Sequence, residues 1–301
     1  MPEYGNFPNL PTLNEDDLVK DQAKFTRRSF PRNDSSVTMD SPPWWRVYVD
    51  GYGGQKSLGD ESYEGAVGSY LFVCCSTGST DCRLYASHEQ FPVALHQFLR
   101  RVEAEHYKVH VIYGDTFSVN ISEDIEEVCA VFGCVCQPVS NGTPQEMAFA
   151  ESMVRVVKRM STAMLAGAPH LPANSWACAD KYSVYLHDFL PSSTRGGHCP
   201  YVLRTGRTIN WKLLGIHTFG SPCQYSPAGE PIHKRAPITE PGWFQGVQWP
   251  SVLIRRVKDG KIVNVARQKF RCHEQAYCTS MNKVVEAGDQ VIEDHLGGVQ
   301  E

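Results

Sequence analysis

The sequence predicts an α/β protein in which a mixed five-stranded sheet, flanked by helices, is followed by a small β-barrel module. From residue 44 onwards, strand-like segments come first and then alternate with helical ones, an order typical of a mixed sheet with helices on its faces. After about residue 213 the apolar runs become short and are separated by glycine and turn residues, as in a small barrel. With 301 residues, 42% of them hydrophobic, the chain is long enough for one full core and a second small domain.

The first three predicted strands form an antiparallel meander. Residues 44–50 show strand-like alternation, and the glycines at 51–54 are expected to end this strand. Two further strands, at 69–76 and 82–87, are joined by the turn-rich residues 77–80. These segments therefore supply one half of the sheet.

The remaining strands of this sheet alternate with helices. Residues 89–106 place apolar side chains at helical spacing, namely Phe91, Ala94, Leu95, Phe98, Leu99 and Val102. A buried strand at 109–113 follows, then a helix at 122–132 that Gly133 ends, and a short strand at 134–137. Long helices are expected at 145–165 and 176–189.

The last part of the chain is predicted to be all-β. Expected strands lie at 214–219, 243–247, 252–256, 262–265 and just before residue 272. The chain then divides into a linker or tail at 1–43, a core at 44–207, a β-rich module at 208–272 and an acidic linker tail at 273–301.

Composition indicates a reduced, soluble, intracellular protein without a membrane span. The eleven cysteines are odd in number, no signal peptide precedes them, and no run of eighteen apolar residues occurs. The formal net charge of −4 is not typical of a free-standing nucleic-acid binder, because phosphate contacts demand positive charge. Local positive charge in a groove would still suffice.

Three carboxylates stand where a metal site could form. Asp50 closes the first predicted strand, Asp115 follows a later one, and Glu151 lies early in the long helix. Carboxylates at strand ends, joined by one from a helix, can converge on one point and bind two hard divalent cations there. Taken singly, each is one of 33 acidic residues, and a solvated surface carboxylate is then the simpler interpretation.

The helix that carries Glu151 also carries cations on the same face. At 100° per residue, Arg155 and Lys158 fall within about 40° of Glu151, and Arg159 lies at the edge of that face. These side chains could hold DNA phosphates beside a metal site. The competing interpretation is an ordinary amphipathic helix with i,i+4 ion pairs.

Several segments in order resemble the integrase region of a copia-type retrotransposon Pol polyprotein. Residues 143–165 resemble the family's TPQQNGVAER helix, with Ala150-Glu151 on its Ala-Glu, and 35 residues separate Asp115 from Glu151, the D,D(35)E spacing of integrases. Residues 168–190 resemble LP-FWAEA---A-YL-NR-P, and His217 to Cys223 resembles LRVFGCPAYV. The sequence departs from the family at TDNGGEF, which here reads Gly114 to Val119 without the glycine-rich turn.

The resemblance implies an RNase H-like catalytic core followed by an SH3-like module. It implies Mg²⁺ or Mn²⁺ held by Asp50, Asp115 and Glu151, and a polynucleotidyl transferase that joins 3′ ends of element DNA to target DNA. Double-stranded DNA partners, a homo-oligomer and a nuclear location at the integration step follow from it. Residues 1–43 would then include a degenerate remnant of the zinc-binding domain, because Asp17 and Lys20 occupy positions of its cysteines.

Two other hypotheses remain open. A catalytically inactive or domesticated integrase relic could bind nucleic acid or protein, and the acidic net charge and the altered loop favour it. Another RNase H-like nuclease is also possible, although the copia-like segments after the core argue against it. The fold alone does not separate these functions.

Overall fold

The structure is a computed structural model of the 301-residue chain. It describes residues 41–53, 65–114, 122–138, 144–227 and 239–274, without the side chains of 144–147 and 194. The predicted tails at 1–43 and 273–301 lie almost wholly outside the described residues, and the predicted domain boundaries stay predictions.

The first sheet is mixed and five-stranded, as predicted. Its strands are β1 (Arg46–Gly53), β2 (Gly68–Cys74), β3 (Thr80–Tyr85), β4 (Val111–Gly114) and β5 (Val135–Pro138), and their order is β3-β2-β1-β4-β5. The first three strands form the predicted antiparallel meander, whereas β4 runs parallel to both β1 and β5. Pro138, which cannot donate to a sheet ladder, ends the edge strand β5.

Helices cover both faces of this sheet. The α-helices among the described residues are α1 (Phe91–Ala104), α2 (Glu123–Phe132), α3 (Pro144–Ala166), α4 (Trp176–His187), α5 (Pro200–Thr205) and α6 (Trp211–Leu214). α1 and α2 pack on the face that carries Val47 and Val49, and α3 packs with part of α4 on the face that carries Leu71 and Val73. The chain is therefore an α/β protein with helices on both sides of the mixed sheet.

The core between α1 and the sheet follows the predicted apolar pattern. All six apolar positions expected to face inwards on α1 are buried. The ring of Phe98 stacks on that of Phe72 with centroids 4.2 Å apart, and Trp44 meets Phe98 edge-on at 5.4 Å. Burying one such side chain contributes about 1.5–3 kcal/mol, so this layer dominates the stability of that face.

A second sheet is antiparallel throughout. Its strands are β6 (Pro222–Tyr225), β7 (Glu240–Gln248), β8 (Ser251–Arg256), β9 (Ile262–Ala266) and β10 (Phe270–Cys272), in the order β10-β6-β7-β8-β9. Residues Phe244 and Ile254 of this sheet form one apolar cluster with Ala179 and Tyr182 of α4. Within the described ranges, β9 and β10 do not pair with each other, so these strands form an open sheet and not the expected closed barrel.

Two predictions from the sequence are wrong: the end of the first strand and the strand at 214–219. β1 does not stop at residue 51, because Gly51 and Gly53 remain paired with β2. A Cβ at Gly51 would lie 3.0 Å from the Tyr70 ring, so this glycine permits close packing within the strand.

The strand predicted at 214–219 is also absent. α6 ends at Leu214, and Gly215 terminates it with φ of 64°, a left-handed conformation that glycine adopts readily. The following strand, β6, begins only at Pro222.

Among the described residues, no helix combines the length and apolar character that crossing a membrane requires.

Candidate active site on the first sheet

Asp50 lies on the face of β1 that α3 covers. The pairing between β1 and β2 is regular from Val47 to Gly53, so alternate residues of β1 point to the same face. Tyr48 packs with Ala150 of α3, and Tyr52 packs with Val154 and Val157 of the same helix. Asp50, midway between these tyrosines and half-buried, therefore faces α3.

Glu151 lies on α3 next to the residues that contact these tyrosines. Ala150 is fully buried against Tyr48, and the ring of Phe149 lies 6.5 Å from the Tyr48 ring. Further along the helix, Lys158 Nζ lies 4.8 Å from the centroid of the Tyr52 ring. The fold thus brings Asp50 and the exposed Glu151 to the same face of the sheet.

The third predicted carboxylate, Asp115, lies outside the described residues. The described part of β4 ends at Gly114, which is the Cα partner of Val49 in the parallel pair β1–β4. The assignment of Asp115 to the site therefore stays a prediction.

The three predicted DNA-binding cations are exposed on α3. Arg155, Lys158 and Arg159 all have exposed side chains. Lys158 follows Glu151 by seven residues, which is about two turns of helix, so both lie on one flank of α3. The contact of Lys158 Nζ with the Tyr52 ring shows that this flank borders β1. Glu151 and Lys158 thus lie on the flank of α3 that borders β1, the strand that carries Asp50.

A buried carboxylate beneath this site was not predicted from the sequence. Asp180 of α4 is 4% exposed, and its Oδ2 accepts hydrogen bonds from Tyr52 Oη at 3.1 Å and Ser69 Oγ at 3.4 Å. Burial raises the pKa of Asp180 to about 6, although hydrogen bonds from Ser161, Tyr52 and Ser69 and the charge of Lys158 oppose this shift. Burial and the neighbouring Asp180 also raise the pKa of Tyr52 well above its usual value.

The sequence contains a pattern that could have indicated the buried carboxylate of Asp180. Asp180 stands among apolar residues in the α4 segment Trp176-Ala-Cys-Ala-Asp-Lys-Tyr182, where a charged residue in a buried helix needs hydrogen-bond partners. Tyr52, which donates to Asp180 and contacts Lys158, connects this buried group to the face that carries Asp50 and Glu151.

The raised pKa of Asp180 predicts a dependence of stability on pH. The folded protein holds a proton on Asp180 that the unfolded chain releases above the ordinary pKa of 3.8. The stability from this group is fully present below pH 3.8 and is lost as the pH rises through about 6. We expect Asp180→Asn to become more stable relative to wild type by about 2 kcal/mol between pH 4 and pH 7.

Urea denaturation at these two pH values measures the difference in the free energy of unfolding between wild type and Asp180→Asn. Glu103→Gln, at an exposed position of α1, controls for the loss of a surface charge. A difference between wild type and Asp180→Asn that is the same at pH 4 and pH 7 would contradict the prediction.

Comparisons with known proteins identify no family for this chain. No protein-family model matches it, and no curated protein matches it in sequence. Among solved structures, a chain of the simian T-cell lymphotropic virus intasome in complex with the PP2A regulatory subunit B56 gamma is similar to it. That match has 10% sequence identity, covers 77% of this chain and 83% of the other, and has a TM-score of 0.40, which does not by itself establish a shared fold.

Proposed function

We propose that the chain is a metal-dependent polynucleotidyl transferase of the copia-type integrase class, with an RNase H-like core that joins DNA 3′ ends to target DNA. The observation that carries the proposal is the position of Asp50 beneath α3. Residues on both sides of Glu151 contact Tyr48 and Tyr52, the two tyrosines that flank Asp50 on its face of the strand. An amphipathic surface helix with i,i+4 ion pairs does not require this arrangement.

The side chains present fit Mg²⁺ or Mn²⁺. Asp50 and Glu151 offer carboxylate oxygens, which are the donors that these hard cations prefer, and Asp115, which follows Gly114 in the sequence, would supply the third. Bound there, the cations would activate the attacking oxygen and stabilise the leaving oxygen. The carboxylates would position the cations, and half-buried Asp50 would offer a partly dry environment in which such charges act strongly.

The exposed cations of α3 would position the DNA. Arg155, Lys158 and Arg159 have the positive charge that phosphate contacts require, and they lie on the helix that carries Glu151. Local charge of this kind explains how a chain with net charge −4 could bind DNA. We further propose that the enzyme works as a homo-oligomer on paired element ends, and that it acts in the nucleus.

A strand-transfer assay tests the proposal. The full chain is incubated with Mn²⁺ or Mg²⁺ and a labelled double-stranded oligonucleotide together with a target plasmid, and joined products are resolved on a gel. Covalent joining that requires the divalent cation supports the proposal. DNA binding without joining, over a range of donor end sequences, would favour the relic that only binds nucleic acid.

The role of the α3 cations gives a separate prediction. Arg155→Gln together with Lys158→Gln should weaken binding to all DNA sequences alike and lower the slope of log affinity against log salt by about 2, because each lost phosphate contact removes about one released counterion. Fluorescence anisotropy at three salt concentrations measures both effects. Glutamine is preferred to glutamate because Lys158 also lies near the Asp180 carboxyl.

A second double variant serves as the matched control. Arg100 on α1 and Lys108 just after it are exposed cations outside α3, and α1 covers the opposite face of the sheet. Arg100→Gln with Lys108→Gln removes the same charge but should leave the salt dependence close to that of wild type. Equal effects of the two double variants would contradict a specific role for α3.

A further inference from the structure

We propose that His217, Cys272 and Glu274 form a second metal site, which binds a zinc-type transition-metal ion and has a role separate from the carboxylates of the first sheet. One ligand atom from each of these three side chains lies within 4.8 Å of the other two. Such a set, one nitrogen, one sulfur and one carboxylate oxygen, is the set of donors from which proteins build Zn²⁺ sites.

The spacing of two of the ligand atoms fits a tetrahedral ion, and the third, Cys272 Sγ, lies within 4.8 Å of both. His217 Nδ1 lies 3.1 Å from Glu274 Oε1. Two ligands that each lie about 2.0–2.2 Å from a tetrahedral Zn²⁺ are separated by about 3.3–3.5 Å. The imidazole and the carboxylate therefore need to move by only a few tenths of an ångström to share an ion in place of a proton.

The protein backbone holds two of the three ligands, Cys272 and Glu274, in place. Cys272 is the last residue of β10 and pairs with Cys223 of β6, and the next residue, His273, donates its backbone N–H to Pro222 O at 2.9 Å. Glu274 Oε1 also accepts a hydrogen bond from the backbone N–H of Thr218 at 2.9 Å. Contacts of this kind orient ligands around a metal ion.

The His217 ring is also oriented by its surroundings. It packs edge-on against Phe244 and Phe270, with centroids 5.4 Å and 5.3 Å away. The site is thus largely formed before any ion binds, and the entropy that must be lost on binding is small.

An ion can reach this site from solvent. All three ligands are half-buried, and two of them, His217 and Cys272, line a cleft of about 510 Å³ together with Trp211 and Lys212. A water molecule in the cleft can supply the fourth ligand, which three protein ligands leave open.

Ligand chemistry separates this site from the one proposed on the first sheet. Asp50 and Glu151 offer oxygen donors only, which suit Mg²⁺ or Mn²⁺, whereas a thiolate and an imidazole suit Zn²⁺ or Co²⁺. Bound at the second site, the ion would link the segment before β6 to the end of β10. Since β10 is a three-residue edge strand, this link would stabilise the second sheet.

Titration of the full chain with Co²⁺ under reducing conditions tests the proposal. A tetrahedral thiolate site produces a sulfur-to-cobalt charge-transfer band in the near ultraviolet together with visible d–d bands. We expect these bands in wild type, and we expect Cys272→Ser and His217→Asn to bind at least tenfold more weakly. Glu274→Gln, at a more exposed position, provides a milder variant if either of these fails to fold.

Two controls assign the bands to this site. Cys223→Ser removes the thiol opposite Cys272 in the β6–β10 pair but no proposed ligand, and it should keep the bands. Cys136→Ser tests whether Co²⁺ binds instead to a different pair of thiols, in which Cys129 Sγ lies 3.3 Å from Cys136 Sγ. Wild-type spectra without the bands, or bands that survive in Cys272→Ser and disappear in Cys136→Ser, would overturn the proposal.

Discussion

Glu151→Gln is expected to lower the rate of metal-dependent DNA strand transfer about a thousandfold, because one cation loses a charged ligand and with it several kcal/mol of transition-state stabilisation. The fold should survive, since Glu151 is exposed and substitutions at such positions usually change stability by less than about 0.5 kcal/mol. The product yield over time in the strand-transfer assay measures the first effect, and thermal unfolding measures the second.

Asp50→Asn should reduce the rate to a similar extent, because both side chains are proposed to hold the same cations. Asp124→Asn, at an exposed position of α2 on the other face of the sheet, is the matched control and should remain active. Mn²⁺ binding measured by calorimetry supplies a readout that is independent of DNA, and both site variants should bind the ion more weakly. Activity above a tenth of wild type in Glu151→Gln would remove this residue from the proposed site.

The first sheet could be predicted well because its sequence pattern is local. The six apolar positions of α1 recur at helical spacing and all are buried, and the apolar runs in β2 and β4 fall close to their observed positions. Gly133 ends α2 with φ of 63°, as its place after the last apolar residue suggested. Such signals need no knowledge of tertiary contacts.

The errors occur where tertiary packing decides the local structure. The glycines in β1 suggested a turn, but Gly51 remains in the strand, where it makes room for the Tyr70 ring. The apolar run at 214–219 suggested a strand, but Gly215 ends a helix there, and a Cβ at Gly220 would lie 2.6 Å from Ala168 Cβ. A glycine that permits a close approach cannot be distinguished by sequence alone from one that makes a turn.

The candidate site was predicted in part. The rule that carboxylates at strand ends and on a helix can converge suggested that Asp50 and Glu151 could meet. α3 does cover the face of β1 that carries Asp50, but Asp50 lies within β1 and not at its end. The connection from Tyr52 to Asp180 could not be predicted, because 128 residues separate these side chains in the chain. A hydrogen bond between residues so distant depends on how α4 packs against the sheet.

A buried arginine pairs with carboxylates that follow α1 and α4. Arg204 of α5 has a side chain that is 6% exposed, and it pairs with Glu105 at 2.5 Å and with Asp188 at 2.5 Å. Glu105 follows α1 on one face of the first sheet, whereas Asp188 follows α4, which packs in part on the opposite face. Burial raises the pKa of Asp188, and the charge of Arg204 opposes this shift.

Arg204→Met is expected to destabilise the protein by about 3–5 kcal/mol at pH 7, because it leaves the buried Asp188 carboxylate without its partner. Urea denaturation at pH 7 measures the change in the free energy of unfolding. Arg207→Met, at an exposed position just after α5, removes the same charge and should change stability by less than about 0.5 kcal/mol.

A double variant separates the loss of the charge pair from the loss of packing. In Arg204→Met with Asp188→Asn, the buried position no longer carries an unpaired charge, so part of the lost stability should return even though the contacts of the guanidinium are still missing. If Asp188→Asn restores no stability, the stability lost in Arg204→Met comes from the lost packing or from the lost ion pair with Glu105. If Arg204→Met lies within about 1 kcal/mol of wild type, the pair does not hold α4 in place. The position of Asp180 beneath Tyr52 must then depend on the apolar contacts of α4 with α3 and the second sheet.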